Sequence, residues 1–430
     1  MINSLISAAA WGLGSVIWVE LVRDFYHLAS HYWPSLYRLH VWHHRVFRPD
    51  LSVISEKVYR KSQWRNDVPE SLVMLVLSLW LLAVAYTFSP EQYWGAFAGC
   101  VYTLSFLLGA IARGSGIKWA EQLTDLTHLP GPFLTVPANW LVNRPYHWRH
   151  HFDNQNAYYG GTLTIVDKLM GTALSLKGKS IAVTGASGTL GQSLLRHLRT
   201  RGAKVIALSS KHQEISIPDA KGELEPVKTI TWQVGKESEL AAQLEKVDIL
   251  IINHGINVHG DRTAVAISNS YEVNTFSSLR LLELFFNTVR TNQDIACKEV
   301  WVNTSEAEVT PALSPLYELS KRALGDLVTL RRLDAPCVVR KLILGPFKSN
   351  LNPIGVMSAD WVAKQIVNLA IRDVRNIIVT INPLTFFAFP VKEFMVATYF
   401  KLFSRRTFNS TPVLPNFERF SKETSNSTKI

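Results

Sequence analysis

Cysteine is scarce in this 430-residue chain: Cys100, Cys297 and Cys337 are scattered, make no CxxC pair and cannot build a disulfide framework. That usage fits a reducing compartment. The marks of a cleavable leader are missing too. The first apolar run, Leu5 to Val22, follows no basic segment, precedes no A-x-A site and continues into histidine-rich sequence, so it reads as a helix that stays in place. Acidic residues are the minority, 34 against 45 Lys and Arg, for a formal charge of +11. Yet the basic residues form no stripe interleaved with aromatics, which favours an anionic lipid surface over nucleic acid as the partner. A flexible linker is also lacking, although the chain is long enough for two cores and its composition changes sharply along its length.

Up to about residue 112 there are long apolar runs with almost no charge. Leu5 to Val22, Ser71 to Phe88 and Tyr93 to Ala112 each approach the roughly 20 residues that cross a bilayer. Lys and Arg crowd the loop after the first run and the segment after the third, while the turn Ser89-Pro90-Glu91-Gln92 has neither. The positive-inside bias therefore puts the N-terminus outside and both basic segments in the cytoplasm. Residues 129–142 are short and broken by proline, suited to the interface or a re-entrant pass. From about residue 179 short β-branched runs alternate with helical stretches, the signature of a parallel α/β sheet. The expected fold is an α-helical membrane domain (1–175), an α/β Rossmann domain (176–382), and an apolar interfacial helix with a polar, disordered tail (383–430).

Nine of the thirteen histidines lie in the first 151 residues. They come as His27 and His31, then His40, His43 and His44, a single His128, then His147, His150 and His151. Residues at i, i+3 and i+4 share a helical face, so each set aims its imidazoles one way. The topology puts all the sets on one side of the membrane. Eight or nine neutral nitrogens suffice for two divalent metals with open positions, and imidazole suits iron, zinc and copper. Paired histidines can also ligate haem, so a membrane haem or zinc protein stays open; a Soret band would mark haem. Asp24, Asp125 and Asp153 are candidate partners for ring N–H groups.

The stretches DFYHLASHYWPSLYRLHVWHHRVFRPD and NRPYHWRHHFDNQNAYYGGTLTIVDKLMGT resemble the fatty acid hydroxylase / sterol desaturase superfamily over about residues 10–175. The resemblance rests on HxxxH, HxxHH twice, and the closing Tyr158-Tyr159-Gly160-Gly161 before Val166-Asp167-Lys168. It implies a membrane oxidase with a non-haem dimetal centre, two iron ions rather than zinc. Such an enzyme uses O2 and an external electron donor (ferredoxin, cytochrome or reductase) to hydroxylate or desaturate a lipid. The family usually has about four membrane passes; three are clear here.

In the second half, Thr184-Gly185-Ala186-Ser187-Gly188-Thr189-Leu190-Gly191 follows a strand and opens an amphipathic helix. Glycines there let the backbone approach a pyrophosphate at the helix N-terminus. The next strand ends at Ser209, Ser210 and Lys211 with no Asp or Glu for a ribose diol, which favours NADP(H). Tyr317 and Lys321, four apart on a helix, place an ammonium beside a phenol and would lower its pKa from about 10. With Asn253-His254-Gly255, Asn274 and the strand end Asn303-Thr304-Ser305, this pattern resembles the short-chain dehydrogenase family over about residues 179–382. The resemblance implies Tyr317 as general acid/base, Lys321 orienting the ribose, Ser305 polarising the substrate oxygen and Asn274 supporting a proton relay. The glycines are spaced GxxGxxG, as in extended or atypical branches. A one-residue shift would put Glu306 in the serine's place.

Together the two halves are similar to cyanobacterial-type proteins described as bifunctional sterol desaturase/short-chain dehydrogenase. The expected function is a membrane-bound oxidoreductase acting on a lipid (sterol-like, fatty acyl or isoprenoid). Because the second half starts within a few residues of the last histidine segment, the two sites are expected to treat one lipid in turn. One makes a hydroxyl and the other oxidises it, or reduces a carbonyl. The rival is an NADP-binding scaffold whose dehydrogenase half is inactive and regulatory.

Overall fold

The computed structural model describes residues 2–121, 126–218 and 222–405. Asp125 and the tail from Asn409 lie outside the described residues. The first half is helical: α1 Ile2–Tyr32, α2 Pro34–His44, α3 Glu56–Ser62, α4 Val68–Phe88, α5 Phe97–Gly114, α6 Lys118–Glu121, α7 Arg144–Phe152 and α8 Ile165–Met170. Three helices among the described residues are long and apolar enough to span a membrane, Asn3–Tyr32, Glu56–Phe88 and Tyr93–Gly114. Residues 129–142 form no helix.

Local chemistry turns the first span back on itself. Pro34 forces Trp33 into an extended conformation (φ −100°, ψ 118°), because a residue before proline is barred from the helical region. That one-residue break ends α1 and folds α2 against it. A π-helical turn at Gln63–Asp67 joins α3 to α4; such turns often mark functional sites. Helix α5 lies close on α1 because Gly95 and Gly99 present no Cβ. One at Gly95 would come within 2.1 Å of the Ala8 carbonyl, and the Gly99 N–H donates to Ser15 Oγ.

The second half contains β1 Ser180–Thr184, α9 Thr189–Thr200, β2 Lys204–Ser209, β3 Ile215–Pro218, β4 Leu224–Thr231, α10 Ala241–Leu244 and β5 Ile249–Ile252. Next come α11 Ala264–Tyr271, α12 Ser277–Phe286, α13 Asn292–Cys297, β6 Glu299–Asn303, α14 Pro315–Arg332 and β7 Val338–Leu344. The chain closes with the small pair β8 Phe347–Lys348 and β9 Met357–Ser358, then α15 Ala359–Ala370, β10 Asn376–Val379 and α16 Pro383–Phe403. The main sheet runs β10-β7-β6-β5-β1-β2-β4-β3, parallel throughout except for β3 on β4. One buried cluster joins α9 and α15 to one face of it, and a second joins α12 and α14 to the other. The strand order reverses between β1 and β5, so the crevice that binds ligands in such sheets opens at the carboxyl ends of these strands.

The membrane half docks on the opposite end of the sheet. Leu174 N–H donates to the Ile371 carbonyl and Phe133 N–H to Asn292. Lys168 Nζ reaches the carbonyls of Arg372 and Asp373. Chain proximity between the halves therefore does not make the two candidate sites neighbours. β1 starts at the histidine half and carries its glycine loop at the far end, roughly 15 Å away along five residues. Helix α16 packs along α14, its Glu393 accepting from Thr329 and Lys341. Phe387, Phe394 and Phe403 are exposed.

Candidate metal centre and nucleotide cleft

All nine histidines singled out in the sequence converge, in two groups: His27, His31, His40, His44 and His150, then His43, His128, His147 and His151, each with ligand nitrogens within 4.8 Å of one another. The fold at Trp33 brings α2 beside the end of α1, and α7 closes the set. In the first group His27 Nε2 lies 3.1 Å from His40 Nε2 and 3.0 Å from His150 Nε2. His44 Nε2 is 2.9 Å from His40 Nε2 and 3.2 Å from His150 Nε2. In the second, His147 Nε2 is 3.0 Å from the Nε2 atoms of both His128 and His151, and His151 Nε2 is 3.1 Å from His43 Nε2. Two nitrogens bound at about 2.1 Å to one metal and at right angles lie about 3.0 Å apart, so the spacing is that of a coordination sphere. His31 Nε2 is buried with no hydrogen-bond partner, which a metal would supply. Burial brings His40 down to about 4 and His44 to about 2, the neutral form that ligates. The residues fit a pair of divalent metals.

The opposite ring nitrogens are held by the backbone and one amide. His27 Nδ1 donates to the Tyr159 carbonyl at 2.7 Å, His150 Nδ1 to the Ala157 carbonyl at 2.8 Å, and His40 Nδ1 to Asn66 Oδ1 at 2.9 Å. These bonds turn each Nε2 toward the centre. The aspartates expected in that role are placed elsewhere: Asp24 accepts from Gly161 N–H, and Asp153 from Tyr158 and Lys179. Asn66, in the π-helical turn, was not legible as a partner; the break in an otherwise helical run was its only signal. Asp167 explains the YYGG…VDK motif. Buried, it accepts from the N–H groups of Tyr159 and Gly160, from Tyr146 and from Thr172, shaping the loop whose carbonyl holds His27.

Arg149, between the α7 histidines, turns away from the histidine centre and into the second half. It donates to the Ala296 carbonyl and pairs with Glu299 at 3.2 Å. Glu299 also binds Arg340, which pairs with Asp373 at 2.8 Å. All four side chains are buried. Burial alone would push Glu299 up; the Arg340 and then the Arg149 guanidinium outweigh it and bring the carboxyl to about 2.

At the far end of the sheet, Gly185 takes φ +61°, and a Cβ on Gly191 would meet the Gly185 carbonyl at 2.3 Å. Only a bare backbone makes this turn, at the start of α9, where its N–H groups can meet a phosphate. Ser187 lies in that turn. Ser209 is buried and its Oγ accepts from Lys211 N–H; Ser210 and Lys211 are exposed. Asn253 accepts from Asn303 Nδ2. Gly255 keeps space open beside Asn274 Oδ1 and Lys321 Nζ. Asn274 bridges Ile256 N–H and Ser320. Lys321 Nζ donates to the Asn303 carbonyl at 2.8 Å, and burial brings its ammonium down to about 8. Tyr317 departs from expectation: burial pushes its phenol up, opposed by a hydrogen bond with Ser305. The amine is directed at a carbonyl and lies 6.0 Å from the ring centre. Glu306 is turned away to Thr380 and Thr385, so Ser305 is the residue that meets Tyr317. The residues fit a nicotinamide nucleotide.

Fold and sites define a membrane protein in which a histidine-lined centre is joined to a short-chain dehydrogenase fold. Residues 179–339 match the family described as short chain dehydrogenase. The whole chain belongs to the family of the monoglucosyldiacylglycerol epimerase of Synechocystis sp., to which it is 62% identical over 410 residues, 93% of this chain and 100% of that one. A 3-oxoacyl-acyl-carrier-protein reductase of Rickettsia bellii is 33% identical over 99 residues, 22% of this chain and 40% of that one. Among solved structures, a short chain dehydrogenase from Burkholderia cenocepacia in complex with NADP has 19% identity and a TM-score of 0.43, over 54% of this chain and 100% of that one.

Proposed function

We propose that this chain is a membrane-bound glycolipid epimerase that inverts one carbinol centre in the sugar of a glucosyl diacylglycerol. The observation that carries the reading is the 62% identity along the full length of a relative named for acting on such a lipid. The cleft chemistry suits it. Removing hydride from a carbinol carbon and returning it to the other face inverts the centre with no net oxidation. Oxidation and reduction, alternatives in the sequence reading, become the two halves of one cycle. NADP(H), held on the glycine turn with its 2′-phosphate at Ser209, Ser210 and Lys211, supplies that hydride transfer when bound. Tyr317 takes the proton of the sugar hydroxyl and gives it back, and Ser305 holds the oxygen. Lys321 orients the ribose; Asn274 fixes the Gly255 loop and Ser320. The N-terminus lies outside, and the histidines and the cleft lie on the cytoplasmic side. Purified protein in nanodiscs should convert monoglucosyldiacylglycerol to its epimer, and Tyr317→Phe should not. Unchanged conversion by Tyr317→Phe would remove the cleft from the reaction.

A second activity is favoured by the nine converging histidines: an O2-dependent hydroxylation or desaturation of the lipid, fed by an external electron donor. Two iron ions bound there would supply oxygen activation. Tyr159, Ala157 and Asn66 set the ring orientations, and Asp167 holds the loop that does so. Lipids formed with and without O2 test it: an O2-dependent product that disappears in His150→Ala supports the activity, and an identical profile overturns it.

A further inference from the structure

The histidine centre forms one wall of a cavity of about 410 Å³ enclosed by α1, α4, α5 and the π-helical turn. The other walls are mixed. Arg23, Gln63, Asn66, Asp67, Glu70 and Arg113 line it together with apolar and aromatic side chains such as Phe47, Met74 and Phe106. Arg23 and Glu70 lie on two spanning helices at the ends of their apolar runs, and ionisable groups on such helices face the bundle interior and pair with one another. They are arranged as a hydrogen-bonding surface. Arg23 pairs with Glu20 at 3.1 Å and lies 3.9 Å from Glu70, and its guanidinium sits 4.2 Å above the Phe106 ring. Arg113 donates to Gln63, and Asn66 donates to Asp67 while accepting from the ligand His40. The apolar surface is on the outside instead: Val76, Leu79, Trp80, Val101, Leu104 and Leu108 face outward.

Pockets for apolar ligands are lined mainly by apolar and aromatic side chains with a few polar groups. Here six charged or amide side chains share the lining with aromatic ring faces, more polar groups than an apolar chain needs and a mixture that suits a polyhydroxylated ring. We propose that this cavity takes the polyhydroxylated headgroup of the lipid and presents it to the histidine-held metal, leaving the acyl chains on the apolar outer faces of α4 and α5. The histidine centre therefore acts on, or grips, the sugar end of the lipid. That the headgroup is a hexose rests on the glycolipid reading above.

The test uses the full chain in phosphatidylcholine nanodiscs with cobalt(II) in the histidine centre, whose visible spectrum reports what approaches the metal. Dioctanoyl monoglucosylglycerol should shift the spectrum saturably, and dioctanoylglycerol, identical but for the sugar, should not. Glu70→Gln should raise the half-saturating concentration about tenfold or more, the loss expected for a hydrogen bond to a charged group. Gln63→Leu gives a second, uncharged probe of the same wall, and the cobalt spectrum itself shows that each variant keeps a folded centre. Tyr317→Phe should leave the shift unchanged, which separates this cavity from the nucleotide cleft. An equal shift with dioctanoylglycerol, or none with the glycolipid, overturns the proposal. A chain that shows the sugar-dependent shift but does not epimerise overturns the epimerase reading alone. One that epimerises without the shift overturns the cavity assignment alone.

Discussion

Tyr317 faces Ser305 with Glu306 held away by two threonines, so the proton-transfer role proposed for the cleft falls on one phenol. Removing a positioned acid/base group costs about 10²–10⁴ in rate. Tyr317→Phe should lose that much turnover while binding NADPH as before, measured by initial rates and nucleotide titration. Glu299 makes a different kind of prediction. Its carboxyl falls from an ordinary 4.5 to about 2 in the folded chain, so the stability it adds is complete above about 4.5 and is lost as pH falls toward 2. The shift corresponds to about 3 kcal/mol. Acid unfolding followed by circular dichroism should show a shallower fall in this window for Glu299→Gln than for the parent. An identical pH profile would mean that the guanidiniums do not hold this carboxylate. Arg149→Met leaves Glu299 with Arg340 but removes one cation from a buried network, and should cost about 3–5 kcal/mol.

At the scale of elements, α7 carries both functions of the histidine half: ligands on one side and Arg149 on the other. His43→Ala or His150→Ala should each lose bound metal, and elemental analysis of the parent should give close to two metals per chain without a Soret band. Unchanged metal content in both variants would show that these imidazoles are not ligands. The histidine sets were legible because spacing on a helix is local information, and so was the glycine turn; the effect of Lys321 on the Tyr317 phenol was not, because its ammonium is directed at the Asn303 carbonyl. Asn66, Glu299 and Asp373 were not. Their partners lie 26 residues away for Asn66 and His40 and 150 away for Glu299 and Arg149, and nothing in a local pattern encodes such a pairing. Asp24 and Asp153 bond to other groups because nearness in sequence to a histidine does not bring a carboxylate to its ring. Arg23 and Glu70 went unread because single charges in apolar runs look like helix ends until the bundle shows what they enclose.

For the whole molecule, the sequence carried the two-part architecture but not its geometry. Alternation of strands and helices specifies a parallel sheet, yet only the docking of α7 on α13 and the amino end of β6 shows that the two sites face opposite ends of that sheet. Spanning helices fix the topology to be tested. Cysteines placed at Glu91 and at Lys57, both exposed, should label from opposite sides of the membrane; labelling from one side would break the inside placement of the histidines. The proposed reaction is inversion at one sugar carbon by hydride removed and returned within one cleft. The most direct measurement supplies monoglucosyldiacylglycerol with deuterium on its sugar ring carbons to the purified chain, NADP(H) and no O2, and analyses the product by mass spectrometry and NMR. The account predicts an isobaric glycolipid, inverted at one centre, that keeps all its deuterium. No inverted lipid, deuterium washed out into solvent, or a product formed only with O2 and carrying an added oxygen would contradict it.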